Sequence, residues 1–234
     1  MSREVDYVIS LGGNCRAAWN VRRFFNFSTA FPFDWWITPW RALNELLSDF
    51  DIDRLYCPDL LEEVKTKDGA IASIRHRELG IILQHEFPRD WNSPGNPVCG
   101  DWGESIATPK RRTRYLLDRF VSLDTPGTRI LFVRNTLHRP VDGTNTISPG
   151  VTTERLRALF PLANIHLLLT NCPIEANDPG VSHLDFDDAA KDWRGDWEVW
   201  HRAFKSTGFR LANSALPTFD KGAEPESQIE KSLF

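Results

Sequence analysis

Two runs in the second half of the chain constrain its fold more than any other feature. RILFVRN at 129–135 and NIHLLLTN at 164–171 are short, continuous and apolar, as strands buried on both faces are. Between them TTERLRALF at 152–160 has helical spacing. Near the start, VDYVISL at 5–11 is followed by Gly12-Gly13-Asn14 and then by CRAAWNVRRFF, in which Ala18, Val21, Arg22 and Phe25 recur at three to four residues. Buried strands alternating with amphipathic helices predict an α/β fold, with a mainly parallel or mixed central sheet covered by helices on both faces. At 234 residues the chain is long enough for one substantial core. The expectation is a single α/β domain over 1–219 and a poorly ordered polar tail over 220–234.

The remaining segments fill in that plan. NFSTAFPFDWWITPW at 26–40 carries two prolines and six aromatics, so it reads as an irregular packed loop. WRALNELLSDF after it places Leu43, Leu46, Leu47 and Phe50 on one helical face. AIASIRH at 70–76 and ELGIILQHEF at 78–87 read as strands, the second equally as a buried edge. Residues 88–105 form a loop long enough to act as a lid. PKRRTRYLLDRFVSL at 109–123 reads as a helix capped by Thr108 with Pro109 at its first position, and GDWEVWHRAFKSTG at 195–208 as a helix ending at Gly208.

Charge narrows the partners. There are 28 Lys+Arg against 32 Asp+Glu, a net charge of -4, and the only basic cluster is KRRTR at 110–114. Phosphate-backbone binding needs a clustered basic footprint, so no nucleic-acid partner is expected. No apolar run approaches membrane-spanning length and the N-terminus lacks a secretion pattern, so the expectation is a cytoplasmic protein with no membrane partner. Cys15, Cys57, Cys99 and Cys172 include no C-x-x-C pair, which disfavours a local zinc knuckle; no metal and no cofactor are expected. In a reducing compartment the four are free thiols.

Chemistry is sought where the strands end, because ligands of open α/β sheets bind outside the carboxyl ends. Four segments deliver polar residues there: Gly12 to Cys15, His85-Glu86, Arg134-Asn135 with His138, and Thr170-Asn171-Cys172. If their strands are parallel neighbours, these groups share one cleft. Asn14 is a helix-cap candidate, which places Cys15 at the first helical position, where unpaired N–H groups favour the thiolate. Cys15 is therefore the nucleophile candidate by location, the alternative being a small residue packed beneath the helix. The same turn also reads as an anion site built from the backbone donors of Gly13, Asn14 and Cys15. Neither G-x-G-x-x-G nor G-x-x-x-x-G-K-[ST] is present.

For a base, His85 and His138 sit at strand ends, whereas His166 lies within a strand and His76 is flanked by arginines that suggest a surface. Glu86 is adjacent to His85, but neighbours on a strand point to opposite faces. His183 and Asp185 form an alternative pair on one strand face. Arg134 can grip a carboxylate or phosphate at two points, or instead hold a loop by an ion pair. Asp34, inside the aromatic loop, either caps local backbone donors or orients a histidine. Asp90, Asp101 and Glu104 on the long loop either close over a substrate or are simply solvated.

ISLGGNC, followed by FSTAFPFDWWITP and the LNELLSDF helix, resembles a family of uncharacterised bacterial proteins described as papain-like cysteine peptidases. QHEFPRD, PKRRTRYLLDRF, RILFVRN and DWRGDWEVWHRAF are similar to later blocks of the same family, so the resemblance covers most of the chain. It implies a cysteine nucleophile, Cys15 here, and a histidine base, best matched by His85. Papain-like enzymes carry C-G-x-C-W at the nucleophile, whereas here Cys15 is followed by Arg16 and the nearest tryptophan is Trp19. The strand, turn and helix arrangement is closer to the nucleophile turn of parallel-sheet serine hydrolases, with Asn14 as oxyanion donor as well as cap.

Three readings follow. One is a cysteine-dependent hydrolase or acyltransferase acting on a small molecule or peptide through Cys15 and His85; it predicts a low thiol pKa and a Cys-His contact. The second is a transferase or binding protein for a phosphorylated or sugar-containing ligand, gripped by the glycine turn and by Arg134, Asn135 and His138. The third is a non-catalytic domain whose aromatic loop docks a partner.

Overall fold

The computed structural model describes residues 3–136, 148–189 and 192–212. The tail at 220–234 and His138 lie outside these residues. The chain opens with β1 (Arg3–Val5) and β2 (Tyr7–Ser10), then α1 (Cys15–Phe25), the irregular aromatic loop, α2 (Trp40–Ser48) and the single turn α3 (Ile52–Leu55). A hairpin-like excursion follows, made of β3 (Leu61–Lys65), β4 (Ile71–His76) and β5 (Ile82–Leu83). Next come α4 (Trp102–Ser105), α5 (Ala107–Val121), β6 (Arg129–Asn135), α6 (Pro149–Leu159), β7 (Asn164–Thr170), β8 (Val181–Leu184), α7 (Trp197–Thr207) and β9 (Phe209–Leu211).

The central sheet has the order β2-β6-β7-β8, with every pair parallel, and β1 pairs with β9 in a short parallel extension. The continuous apolar runs are explained by what lies on the two faces. Ile9, Ile130, Phe132, Leu167 and Leu169 enter one cluster with Leu43, Leu46 and Leu47 of α2, Phe120 of α5 and Leu156 of α6. Val8, Leu131, Val133 and Leu168 enter another with Val21 and Phe25 of α1 and Trp200 and Phe204 of α7. Successive strand residues thus bury into opposite layers. The expected α/β architecture, a mainly parallel sheet with helices on both faces, is what forms.

A second sheet, β3-β4-β5, is antiparallel. Through Leu61, Ile74 and Leu83 it joins the larger apolar cluster. The strand expected over 78–87 shrinks to the two residues of β5, an edge strand extended by a bridge from Ile82 to Ile37 in the aromatic loop. The parallel-neighbour premise therefore fails for the segment that carries His85. α5 begins at Ala107 rather than Pro109, with Ile106 in place of Thr108 as its cap. Asp101 caps the short α4 just upstream, accepting from Gly103 N and Glu104 N. α7 ends at Gly208 in a left-handed cap as expected. His76 is not at the surface: it is buried, its Nδ1 accepting from Leu79 N at 3.2 Å.

Candidate active site

The turn after β2 is shaped by how closely it lies against β6. Leu11 N donates to Val133 O at 2.8 Å, and a Cβ on Gly13, at φ 93°, would fall 2.1 Å from Asn135 O. Only glycine permits that approach. Arg134 fixes the turn from below. Its Nη1 donates to Leu11 O at 2.7 Å, its Nη2 donates to Thr38 O, and its guanidinium lies 5.0 Å from the Trp40 ring centre. Burial pulls it down to about 9. Arg134 thus ties the turn to the aromatic loop through backbone carbonyls, with no ion pair among the described residues, and it lies beneath the turn rather than on the wall of the cavity that Cys15 lines.

Asn14 does not cap α1 with its side chain. It is extended, and its Oδ1 accepts from Asn135 Nδ2 at 3.4 Å, while Asn135 Oδ1 accepts from Thr170 Oγ1 at 2.7 Å. Asn135 has a nearer use than the helix end for the Asn14 amide. The first-turn N–H groups of α1 have neither this cap nor an acidic side chain beside them. Gly13, Arg134 and Asn135 therefore form the scaffold, and Asn14 and Cys15 are the turn residues that reach a cavity.

That cavity measures about 580 Å³. The start of α1 gives it Asn14, Cys15 and Arg16; Gln84, His85 and Arg89 come from the segment after β5. Ile37 of the aromatic loop, Trp91 and Asn96 of the long loop, and Trp193 with Arg194 ahead of α7 complete the wall. Cys15 and His85 thus line one cavity although their strands belong to different sheets, but the expected Cys-His hydrogen bond is not formed among the described residues.

The Cys15 thiol is buried and donates to Trp35 O at 3.6 Å. Burial pushes its pKa up to about 12; the Asp34 charge adds to the rise, while its own backbone N–H and the Arg89 charge oppose it. The low pKa expected from the helix start is overturned, because desolvation outweighs the few oriented N–H groups. His85 packs edge-on to Trp35 with ring centres 5.8 Å apart. Burial, reinforced by the charges of Arg89 and Arg112, lowers it to about 4. Its Nδ1 is shielded from solvent and has no hydrogen-bond partner among the described residues.

The carboxylates near these two residues are engaged elsewhere. Asp34 Oδ2 accepts from Arg22 Nη2 and from Phe31 N at 2.8 Å, so it holds the aromatic loop and orients no histidine. Glu86 turns to the face opposite His85, where it accepts from Trp36 Nε1 at 2.7 Å, from Arg112 and from Tyr56 OH at 3.3 Å. His183 Nε2 accepts from Ala176 N at 3.0 Å, and Asp185 lies past the end of β8, beside Asn171 and Cys172 in a separate depression. On the long loop Asp90 accepts from Asn92 N and Ser93 Oγ.

Of this wall, sequence reasoning named only Asn14, Cys15 and His85; the charged and aromatic residues it missed are Arg16, Arg89, Trp91, Trp193 and Arg194. Arg16 donates to Asp188 at 3.0 Å, to Trp193 O at 3.1 Å and to Asp192 O at 2.7 Å, which pins the segment ahead of α7 across the start of α1. Arg89 donates to Gln84 O at 2.8 Å, to Ala72 O at 3.0 Å and to Asn96 O. The available signals were an arginine directly after Cys15 and the DWRGD segment.

Among the described residues no group of three or more His, Cys, Asp or Glu is placed to hold a metal ion, and no helix is long and apolar enough to cross a membrane. Compared with family models, curated proteins and solved structures, the chain matches none.

Proposed function

We propose that the chain is a cytoplasmic cysteine-dependent hydrolase or acyltransferase, papain-like by resemblance, with Cys15 as nucleophile and His85 as base. The observation that carries this reading is their placement on one cavity wall at an uncapped helix start. The four cysteines are free thiols, in keeping with a reducing compartment. With the thiol at about 12 and the imidazole at about 4, both are neutral at pH 7. Deprotonation is therefore coupled to attack rather than completed beforehand.

The thiol proton moves to an imidazole nitrogen of His85 as Sγ bonds to the substrate carbonyl carbon. The carbonyl π electrons move to oxygen, and the oxyanion is held by the Asn14 amide and the N–H groups at the start of α1. Collapse breaks the bond to the leaving group, which takes the proton from His85. Water, or an acceptor nucleophile in the transferase case, then cleaves the Cys15 thioester with His85 again as base.

The competing reading is a transferase or binding protein for a phosphorylated or sugar-containing ligand that makes no use of the thiol. It draws support from the arginines of the same wall. The glycine turn itself is packed against Asn135, which leaves it little room as an anion cradle.

Acid-quenched mass spectrometry after mixing with 4-nitrophenyl acetate separates the two. A single acetyl group on the Cys15 peptide is expected, absent in Cys15→Ala and formed about 100-fold more slowly in His85→Gln. Acetylation confined to Cys99, or an unchanged rate in Cys15→Ala, overturns the nucleophile.

A further inference from the structure

We infer that the ligand of this cavity is an anion, carrying a carboxylate or phosphate group that Arg89 holds with help from Arg16 and Arg194. On the reading above, which this inference deepens, that ligand is the acyl substrate itself.

The charge inventory of the wall is one-sided. Among the described residues Arg16, Arg89 and Arg194 line it and no Asp or Glu does, in a chain whose net charge is -4. Because Arg16 is offset by Asp188, the excess positive charge of this concave site rests chiefly on Arg89, and it attracts anions and concentrates them beside the thiol. Of the three, Arg16 is paired with Asp188, and Arg194 lies 5.3 Å from the ring centres of both Trp19 and Trp193. Arg89 differs, because the groups it donates to are carbonyl oxygens, which orient its guanidinium without neutralising it. Its positive charge is felt by Cys15 and by His85 alike, which places it at the chemistry rather than on the rim. A half-buried cation with no carboxylate beside it among the described residues is costly, and an anionic ligand offsets that cost.

The two tryptophans limit what else the ligand contains. Trp91 and Trp193 reach the cavity from segments about 100 residues apart in sequence and remain 46% and 39% exposed. Large rings left open at a concave site offer a surface for a flat or apolar portion of a ligand. A volume of about 580 Å³ suits a small molecule. The chemistry is thus a compact anion with a planar or apolar part, its carbonyl within reach of Cys15.

Binding is tested apart from turnover. Tryptophan fluorescence of Cys15→Ala is titrated with sodium succinate, with inorganic phosphate and, as a neutral control, with succinamide. Saturable quenching by succinate identifies a carboxylate ligand and quenching by phosphate a phosphorylated one, each weakened about tenfold by adding Arg89→Gln. Since Arg89 also holds loop carbonyls, Arg194→Gln serves as a second variant, expected to weaken binding about threefold while the circular dichroism stays unchanged. No saturable response to either anion, an equal response to succinamide, or unchanged affinity in both arginine variants overturns the inference.

The esters then locate any failure. The 4-nitrophenyl monoester of terephthalic acid, whose rigid ring keeps the carboxylate away from its own ester, is expected to acylate the wild-type chain about tenfold faster than the neutral 4-nitrophenyl benzoate. A benzoate ester that reacts as fast or faster overturns the anionic substrate and leaves the hydrolase standing. Anion binding by Cys15→Ala with no acylation by either ester removes the nucleophile and leaves the anion site standing.

Discussion

Gly13 shows how strongly one residue governs the site. Its positive φ alone strains any side chain, and the nearby Asn135 carbonyl leaves no volume for a methyl group. Gly69, also at positive φ but with nothing within 4 Å of its missing Cβ, isolates the first effect. Gly69→Ala is expected to cost about 1 kcal/mol in urea unfolding and Gly13→Ala about 3 kcal/mol or more. Equal costs would mean that β6 gives way easily and that the turn is not held against it. Cys15 allows an equally direct check. At pH 7.5 iodoacetamide is expected to label the exposed Cys99 first and Cys15 far more slowly, by about a hundredfold, because a buried thiol at about 12 has almost no thiolate to offer. Peptide mass spectrometry reads both rates in one sample, and fast labelling of Cys15 below pH 8 would show that burial does not control it.

Among the elements, the segment ahead of α7 matters most to the site, because Asp188 and Arg16 hold it across α1. Asp188 accepts from Arg16, from Trp200 Nε1 at 2.7 Å and from Asp196 N at 2.9 Å. Asp188→Asn removes the charge and is expected to cost about 2 kcal/mol while raising amide hydrogen exchange over 192–196, with β6 and β7 unchanged. Uniform exchange changes across the sheet would show that the segment is not a separate latch. The sequence made the sheet legible because β6 and β7 are buried on both faces and leave unbroken apolar runs. It likewise exposed α1, α2 and α7 through their buried stripes. β3 left no such trace: LEEVK sets two adjacent glutamates between its only apolar residues, Leu61 and Val64, so no period-of-two alternation marks it as a strand. The cavity was legible only in part. Cys15 and His85 follow from the positions of turns, but Arg16 meets Asp188 across 172 residues, and local spacing carries no record of such a contact. The pKa of Cys15 was misjudged for a related reason. A helix start is written in the sequence, whereas the depth at which packing buries it is not.

At the scale of the whole molecule, buried imidazoles link folding to pH. His85 and His166 are both lowered to about 4, chiefly by burial, and His76 is lowered as well. Above pH 6.5 these rings are neutral in the folded and unfolded chains alike, so they make no difference to stability there. As pH falls from 6.5 toward 4 the unfolded chain binds protons that the folded chain refuses, and stability drops. Below pH 4 the folded histidines protonate too and their contribution levels off. Carboxylates such as Asp6 and Asp178, held low by hydrogen bonds from Arg129 and Arg157, lose their stabilisation only from about pH 4 downward, so the two windows separate. For His85 the shift corresponds to about 3 kcal/mol. Urea unfolding at pH 7.5 and at pH 4 is expected to show wild type losing about 3 kcal/mol more than His85→Gln, because glutamine does not titrate. Parallel losses in the two proteins would mean that His85 protonates in the fold as readily as in water. An imidazole with its ordinary pKa is still mostly neutral at pH 7 and is a stronger base than one held at about 4, so that outcome would keep His85 as the base for Cys15 and show that Arg89 and burial do not weaken it.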